Sequence, residues 1–344
     1  MPKKELKRVI LPKDEHPHDG QAIEWWYFNG HLKGKDEYAF MTCLFKADKD
    51  KVNLKFLKIP YKSIYFSHTL LFNLRTKEVK KEVLPFVITS PDSFGRKDLF
   101  VDYVYPLRKQ FYNYEIARLG KDIRVKTAFF DLMMKEKKKP LLENKTGFID
   151  LGLKTTYYYS YTNLEVNGYI GKEKVKGKAW HDKQWSDKGF MRDSWLWFSF
   201  QLPDKTEIVC FDYKGKKMAC ITYPDNRQET CEVSFKPLKK KWKSPKTRIT
   251  YSLEWEARIK DMTITTKPYI DDCEMNFGFI NYWEGPLKLK INGKERKGSF
   301  GFMEYLAEQK KSPTEVVKGK FDLMRFYEEH KLSFMKGREK PLKT

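Results

Sequence analysis

The chain has 344 residues, of which 68 are Lys or Arg and 46 are Asp or Glu, so its formal charge is +22. Hydrophobic residues make up 40% of it and include 25 Phe, 20 Tyr and 9 Trp, which is ample material for a packed core and excludes global disorder. No run approaches the roughly 18 apolar residues that a membrane-spanning helix needs.

Cysteine usage and the first residues indicate a compartment. The five cysteines are odd in number and contain no CxxC pair, so neither a disulfide framework nor a structural zinc site is expected. No apolar h-region precedes Pro12, so we expect no signal peptide. Together these observations predict a cytoplasmic protein.

The net charge invites a nucleic-acid hypothesis, which the composition weakens. Arg supplies only 13 of the 68 basic residues, whereas base and phosphate recognition favours its planar, bidentate side chain. The lysines are spread along the whole chain, as on a solvated surface. We therefore expect no specific nucleic-acid partner, while peripheral contact with an anionic membrane surface stays open.

Taken in chain order, short runs rich in β-branched and aromatic residues alternate with turn sequences, which is typical of an all-β fold. The predicted strands cover residues 24–32, 37–45, 63–74, 111–119, 123–132, 194–202, 206–213 and 287–291. Asn292-Gly293, after the last of them, is the strongest hairpin signal. Strands do not alternate with helical segments, which argues against a Rossmann fold or an α/β barrel.

One helix is predicted near the end of the chain. Ser312-Pro313-Thr314-Glu315 supplies an N-cap, a Pro at the first helical position and a capping-box Glu. Val317, Phe321 and Met324 follow at helical spacing. This short helix is expected to pack outside the β core.

A weak internal repeat suggests two related β domains. Residues 157–180 and 286–305 each read as strand, turn and strand, followed by glycine, aromatic residues and a carboxylate. The predicted domains are a leader with a first barrel (1–188), a second barrel (189–310), and a helix with a polar tail (311–344).

The first candidate site lies on the predicted strand 24–32. Glu24 and Trp26 share one face of this strand, and Tyr27 and His31 share the other. A carboxylate beside Trp on an inward face is costly unless it is hydrogen-bonded or protonated. Glu24 is therefore either an acid in an aromatic pocket or a structural group that holds backbone amides.

The second candidate site is the segment from Trp180 to Trp185. His181 and Asp182 are adjacent, so on a strand they face opposite sides and cannot form a direct relay. Trp180 and Asp182 share a face, and an Asp against Trp has the ingredients of a general acid with a raised pKa. The alternative is a buried Asp that braces the loop between the domains.

The third candidate site places Tyr282, Glu284 and Glu304 together at the end of the second predicted barrel, where they are expected mainly to close it.

No metal is predicted, because Pro17 separates His16 from His18 and no third His follows at short spacing. GxSxG, P-loop and GxGxxG motifs are missing as well. Acid–base chemistry without a cofactor, or binding of an apolar ligand, remains.

Several of these segments together resemble one family. The resemblance is to the carotenoid hydratase (hydroxyneurosporene synthase) family, also called AttH-like, and its matching segments follow in the family's order. They are EWWY…GHL (24–32), YYYS (157–160), G.AW.D.QW (177–185), W.WF..QL (195–202) and YWEGP (282–286) with Glu304. His181 stands where the family commonly has an apolar residue.

The resemblance implies two tandem lipocalin-like (calycin) β-barrels and a hydrophobic small-molecule ligand, often isoprenoid or polyketide-derived, within or between them. It implies a cofactor-independent hydratase or lyase acting on a C=C bond. The alternatives are a non-catalytic carrier of a hydrophobic ligand and a pericyclic cyclase.

The hydratase hypothesis assigns roles to individual residues. Asp182 is the expected acid, and Glu24 or His31 would hold the water. The expected aromatic wall and substrate contacts are Trp26, Tyr27, Trp180, His181, Trp185, Tyr282 and Glu304. Asp182 and Glu24 should lie near each other where the first and last strands of the barrel meet, with pKa values raised by burial.

Overall fold

The computed structural model describes residues 7–52, 62–90, 93, 98–105, 113–152, 154–190, 193–277 and 280–308. The predicted C-terminal helix lies outside the described residues. Within these residues the regular elements are strands and two short 3₁₀ helices, Lys13–Glu15 and Glu143–Lys145. Within the described part of the chain, no helix is long and apolar enough to cross a membrane.

The strands before residue 190 form one sheet. They are β1 (Ile23–Lys33), β2 (Glu37–Asp48), β3 (Ser63–Asn73), β4 (Val79–Thr89), β5 (Phe100–Val104), β6 (Tyr114–Leu119), β7 (Asp122–Lys126), β8 (Phe130–Glu136), β9 (Leu141–Leu142), β10 (Phe148–Asp150), β11 (Thr155–Ile170) and β12 (Glu173–Ser186). The order β11-β12-β1-β2-β3-β4-β5-β6-β7-β8 closes into a barrel because β8 pairs back onto β11.

The later strands form a second, nearly closed barrel and a small hairpin. They are β13 (Trp195–Gln201), β14 (Glu207–Tyr213), β15 (Lys216–Thr222), β16 (Gln228–Cys231), β17 (Val233–Pro237), β18 (Lys241–Lys243), β19 (Thr250–Ser252), β20 (Trp255–Ile259), β21 (Met262–Pro268), β22 (Glu274–Phe277), β23 (Ile280–Ile291), β24 (Lys294–Glu295) and β25 (Phe300–Leu306). The barrel follows the order β16-β15-β14-β13-β25-β23-β21-β20-β17. The predicted fold class, two β-barrels in tandem, is confirmed.

Local sequence explains most of the strand boundaries. Asn292 and Gly293 have φ values of 50° and 78°, which a tight hairpin turn between β23 and β24 requires. The predicted single strand 123–132 is wrong, because the chain turns between β7 and β8. There Thr127 Oγ1 accepts hydrogen bonds from the backbone N–H groups of Phe129 and Phe130, so the side chain replaces ladder partners.

The alternation along β1 positions the site. Trp26 and Phe28 belong to the core of the first barrel, whereas Tyr27 packs in a cluster shared with Phe198 and Trp283 of the second barrel. β1 therefore has two buried faces, one inside its own barrel and one against the neighbouring barrel. The predicted domain division at 188 and 189 falls between β12 and β13 and stays a prediction.

Candidate functional site

A cavity of about 160 Å³ lies between the two barrels. Its lining is mainly aromatic and comes from both of them, with Trp25, Tyr27, Phe45, Phe66 and Tyr158 on one side and Trp195, Trp197, Phe211, Tyr213 and Tyr282 on the other. Few polar side chains reach it, among them Asp182, Gln184, His68 and Glu304. A concave apolar site with a small number of placed polar groups is typical of small-molecule binding.

Asp182 is a buried carboxyl group of the cavity wall, and it lies opposite Tyr27 in the β1–β12 ladder. Trp180 Nε1 donates to Oδ1 at 2.5 Å, Ser160 Oγ lies 2.6 Å from the same oxygen, and the Tyr158 hydroxyl donates to Oδ2 at 2.7 Å. Burial raises the pKa of Asp182 to about 7, although the three hydrogen bonds favour the carboxylate. Near neutral pH such a group can supply a proton as a general acid.

Ser160 connects Asp182 to a second buried carboxyl group, Glu143. The hydroxyl oxygen of Ser160 lies 2.5 Å from Glu143 Oε1 and 2.6 Å from Asp182 Oδ1. A serine hydroxyl has one proton to donate, so one of the two carboxyl groups must itself donate to Ser160. Burial and the charge of an ionised Asp182 raise the pKa of Glu143 well above its ordinary value, so Glu143 keeps its proton over the pH range in which Asp182 gains and loses its own.

Trp197 brings the second barrel into the Asp182 network. Its Nε1 donates to the Tyr158 hydroxyl at 2.8 Å, and its ring meets that of Tyr27 edge to face with 5.3 Å between centroids. The acid is thus held by groups from both barrels, and an aromatic face lies beside it.

His68 and Tyr282 form a second polar contact at the cavity wall. His68 Nδ1 lies 2.6 Å from the Tyr282 hydroxyl. Burial lowers the pKa of His68 to about 3, so the imidazole is neutral and shares a single hydrogen bond with the Tyr282 hydroxyl. Gln184, also in the wall, donates to Thr156 Oγ1 at 2.9 Å.

Glu24 lies away from the cavity and points into the first barrel. Lys183 Nζ donates to its Oε1, and the His18 backbone N–H donates to Oε2 at 2.9 Å. Burial alone would raise the pKa of Glu24, but Lys183, His18 and Lys46 outweigh it and lower the pKa to about 2. The expected raised pKa is therefore wrong for Glu24, because the sequence does not show these partners.

Three other predicted contacts also lie inside the first barrel. The Trp26 ring faces Lys183 Nζ at 3.6 Å. His181 stacks on Phe28 with ring centroids 4.0 Å apart, and burial lowers its pKa to about 3. Trp185 belongs to the same core. As predicted, His181 and Asp182 face opposite sides of β12.

His31 is on the cavity-facing side of β1 but lies too far along the strand to reach Asp182. It stacks on Phe300 with ring centroids 4.8 Å apart, and at four residues from Tyr27 it lies about 13 Å further along the strand. Neither His31 nor Glu24 is placed to hold a water molecule beside Asp182. Of the predicted residues, Tyr27, Asp182, Tyr282 and Glu304 line the cavity together. Trp180 is hydrogen-bonded to Asp182.

Several functional candidates are not evident from the sequence pattern. Tyr158 and Ser160 stand in the YYYS motif without a role, and alternation on β11 could have placed both on one face. Glu143 has no motif, and its position depends on the packing of a 3₁₀ helix. Within the described residues, no group of three or more His, Cys, Asp or Glu side chains could hold a metal ion.

Comparison with known proteins gives a family and a fold. A family model described as AttH-like matches residues 2–307. A structure from Nitrosomonas europaea described as an AttH has a TM-score of 0.72 at 20% identity and covers 88% of this chain and 98% of that one. Kievitone hydratase from Nectria haematococca has a TM-score of 0.67 at 16% identity and covers 89% and 95%. CghA has a TM-score of 0.52 at 11% identity and covers 88% and 94%. No curated protein has a significant sequence match.

Proposed function

The chain belongs to the AttH-like family, and we propose that it is a cofactor-independent hydratase-type enzyme acting on a carbon–carbon double bond of a neutral, isoprenoid-like substrate. The observation that carries this proposal is the buried Asp182 carboxyl group, whose pKa burial raises to about 7, in the wall of an aromatic cavity. The fold likeness to a protein named as a hydratase agrees with it.

The proposed reaction begins with proton transfer from Asp182. The O–H bond of the carboxylic acid breaks, and a C–H bond forms at the less substituted alkene carbon. The positive charge on the other carbon is stabilised by aromatic faces such as those of Tyr27 and Trp197. A water molecule then adds to that carbon and loses its surplus proton, so the net reaction is alkene plus water to alcohol.

The charges at the cavity indicate a neutral substrate. Lys and Arg do not occur among the described residues that line it, and its ionisable groups include the carboxyls of Asp182 and Glu304. An anionic head group such as a diphosphate or a carboxylate would be desolvated beside these acids without a counter-charge. The net charge of +22 therefore lies elsewhere and does not select the ligand.

Incubation with acyclic isoprenoids that end in an isopropylidene group, such as farnesol and squalene, tests the proposal. We expect the wild-type protein to form a product heavier by one water, with heavy oxygen incorporated from labelled water. Asp182→Asn should retain its fold, by melting temperature, and lose the product.

Other outcomes of this experiment contradict the proposal. A product of unchanged mass would indicate a cyclase. Retention of unchanged isoprenoid by both the wild type and Asp182→Asn would indicate a carrier. Undiminished hydration by Asp182→Asn would refute the role of this carboxyl group.

A further inference from the structure

Two more carboxyl groups lie on the second-barrel side of the cavity. Glu284 on β23 and Glu304 on β25 are directly paired in the antiparallel ladder, so their side chains leave the same face of the sheet. The two carboxyl groups lie within hydrogen-bonding reach of each other. The Tyr27 hydroxyl donates to Glu284 Oε1 at 2.8 Å, and Trp195 Nε1 donates to Glu304 Oε1.

A hydrogen bond between two carboxyl groups requires that one of them is protonated. Burial raises the pKa of both, but the charge of Glu304 raises that of Glu284 further, whereas the hydrogen bonds from Glu284 and Trp195 favour the carboxylate of Glu304. Glu284 is therefore the neutral donor and Glu304 the carboxylate.

The surroundings support this distribution of charge. Fully buried Glu284 is enclosed by protein, whereas Glu304 lines the cavity. The titratable groups that interact with the pair or face it across the cavity are Tyr27, Cys43, His68, Asp182, Cys273 and Tyr282. His68 is neutral, so this set holds no cation that would allow both glutamates to ionise.

We propose that Glu304 is the general base that takes a proton from the water added to the substrate, and that Glu284 is a positioning residue that holds it. This proposal rests on the proposed hydration, in which Asp182 is the acid. Acid and base would come from different barrels and face the same cavity, so neither barrel would be sufficient alone. Two carboxyl groups whose environments separate their protonation states are the usual means of such a division of roles.

The proton balance of this mechanism closes. Asp182 loses a proton to the alkene, and Glu304 gains one from the attacking water as the new C–O bond forms. Asp182 then takes a proton from solvent while Glu304 releases one to solvent. The net reaction adds one water molecule, without an oxidant or reductant.

Infrared spectra of the free protein test the charges without a substrate, because ionised and protonated carboxyl groups absorb at different frequencies. At neutral pH, Glu284→Gln should lose absorbance of a carboxylic acid, and Glu304→Gln should lose absorbance of a carboxylate. Loss of the same form in both variants, or the reverse assignment, would overturn the proposal. The matched control is Glu274→Gln, since Glu274 is a buried carboxyl that accepts from Ser244 at 2.6 Å and Tyr251 at 2.8 Å outside the cavity.

The role of Glu304 is then tested by measuring turnover of an isoprenoid that the wild-type protein hydrates. We expect Glu304→Gln to lower kcat by about 10²–10⁴-fold and to remove the acidic limb of the pH profile while the alkaline limb remains. Glu304→Asp keeps the charge, so its pH profile should retain the acidic limb, although its rate should be lower. This variant tests the proposal if Glu304→Gln does not fold.

The positioning role of Glu284 predicts rescue by an amide. Glu284→Gln can still donate to Glu304 and should retain most of the activity, whereas Glu284→Leu should move the acidic limb to higher pH. Hydration by Glu304→Gln at the rate of the Glu274→Gln control would overturn this proposal alone. Failure of the wild type to hydrate any isoprenoid would overturn the proposed function as well.

Discussion

Tyr27 and Asp182 lie opposite each other in the ladder between β1 and β12, the first and last long strands of the first barrel. Each is linked to the second barrel by a separate set of hydrogen bonds. The Tyr27 hydroxyl donates to Glu284 at 2.8 Å. Asp182 accepts from Tyr158, whose hydroxyl in turn accepts from Trp197 at 2.8 Å. The β1–β12 ladder of the first barrel thus carries side chains that link it to the second barrel.

The raised pKa of Asp182 predicts a falling stability between acid and neutral pH. In the folded protein its pKa is about 7, against an ordinary value of 3.8, so the folded state binds the proton more tightly. This contribution to stability is fully present below the pKa of the unfolded state and is lost as pH rises through the pKa of the folded state. The difference between the two pKa values corresponds to about 4 kcal/mol of unfolding free energy. Chemical denaturation from pH 4 to pH 8 should show a steeper loss in the wild type than in Asp182→Asn. Equal slopes would contradict the assignment.

Ser160→Ala should move the alkaline limb of activity to higher pH. The variant removes a hydrogen bond that favours the Asp182 carboxylate, and a hydrogen bond to a charged group is worth about 1.5–3 kcal/mol, or about one to two pH units. The measurement is kcat against pH. The control is Ser199→Ala, since Ser199 is also buried between the barrels and contacts Asn29 instead. A shift of the same size in both variants would argue against a specific contact.

The sequence predicts the two faces of β1 correctly but not which of them lines the cavity. Alternation separates Glu24 and Trp26 from Tyr27 and His31, yet both faces are buried, so hydrophobicity cannot distinguish a barrel interior from an interface between barrels. Asp182 is predictable from the sequence because its own neighbours along the chain are aromatic. Glu143 is not, because its contact with Ser160 depends on three-dimensional packing.

Glu24 and Lys183 are predicted to stabilise the first barrel rather than to take part in turnover. Both are fully buried and joined by a hydrogen bond. Replacing Lys183 by Met leaves a buried carboxylate without its main counter-charge, which should lower the free energy of unfolding by about 3–5 kcal/mol. Urea denaturation measures this loss. Because the pKa of Glu24 is lowered, its own contribution is present above its ordinary value of 4.5 and is lost as pH falls through about 2.

Ligand charge provides a direct test of the cavity. Dodecanol and dodecanoate have the same chain length and differ in the charge of the head group at neutral pH. Since the acids of the cavity wall, Asp182 and Glu304, have no Lys or Arg beside them among the described lining residues, the alcohol should bind at least about tenfold more tightly, which corresponds to about 1.4 kcal/mol. Quenching of Trp fluorescence would report binding, because Trp25, Trp195 and Trp197 line the cavity. Removing one of the negative charges with Glu304→Gln should reduce this preference. Tighter binding of dodecanoate to the wild type, with no change in Glu304→Gln, would mean that the surface lysines and not the cavity select the ligand.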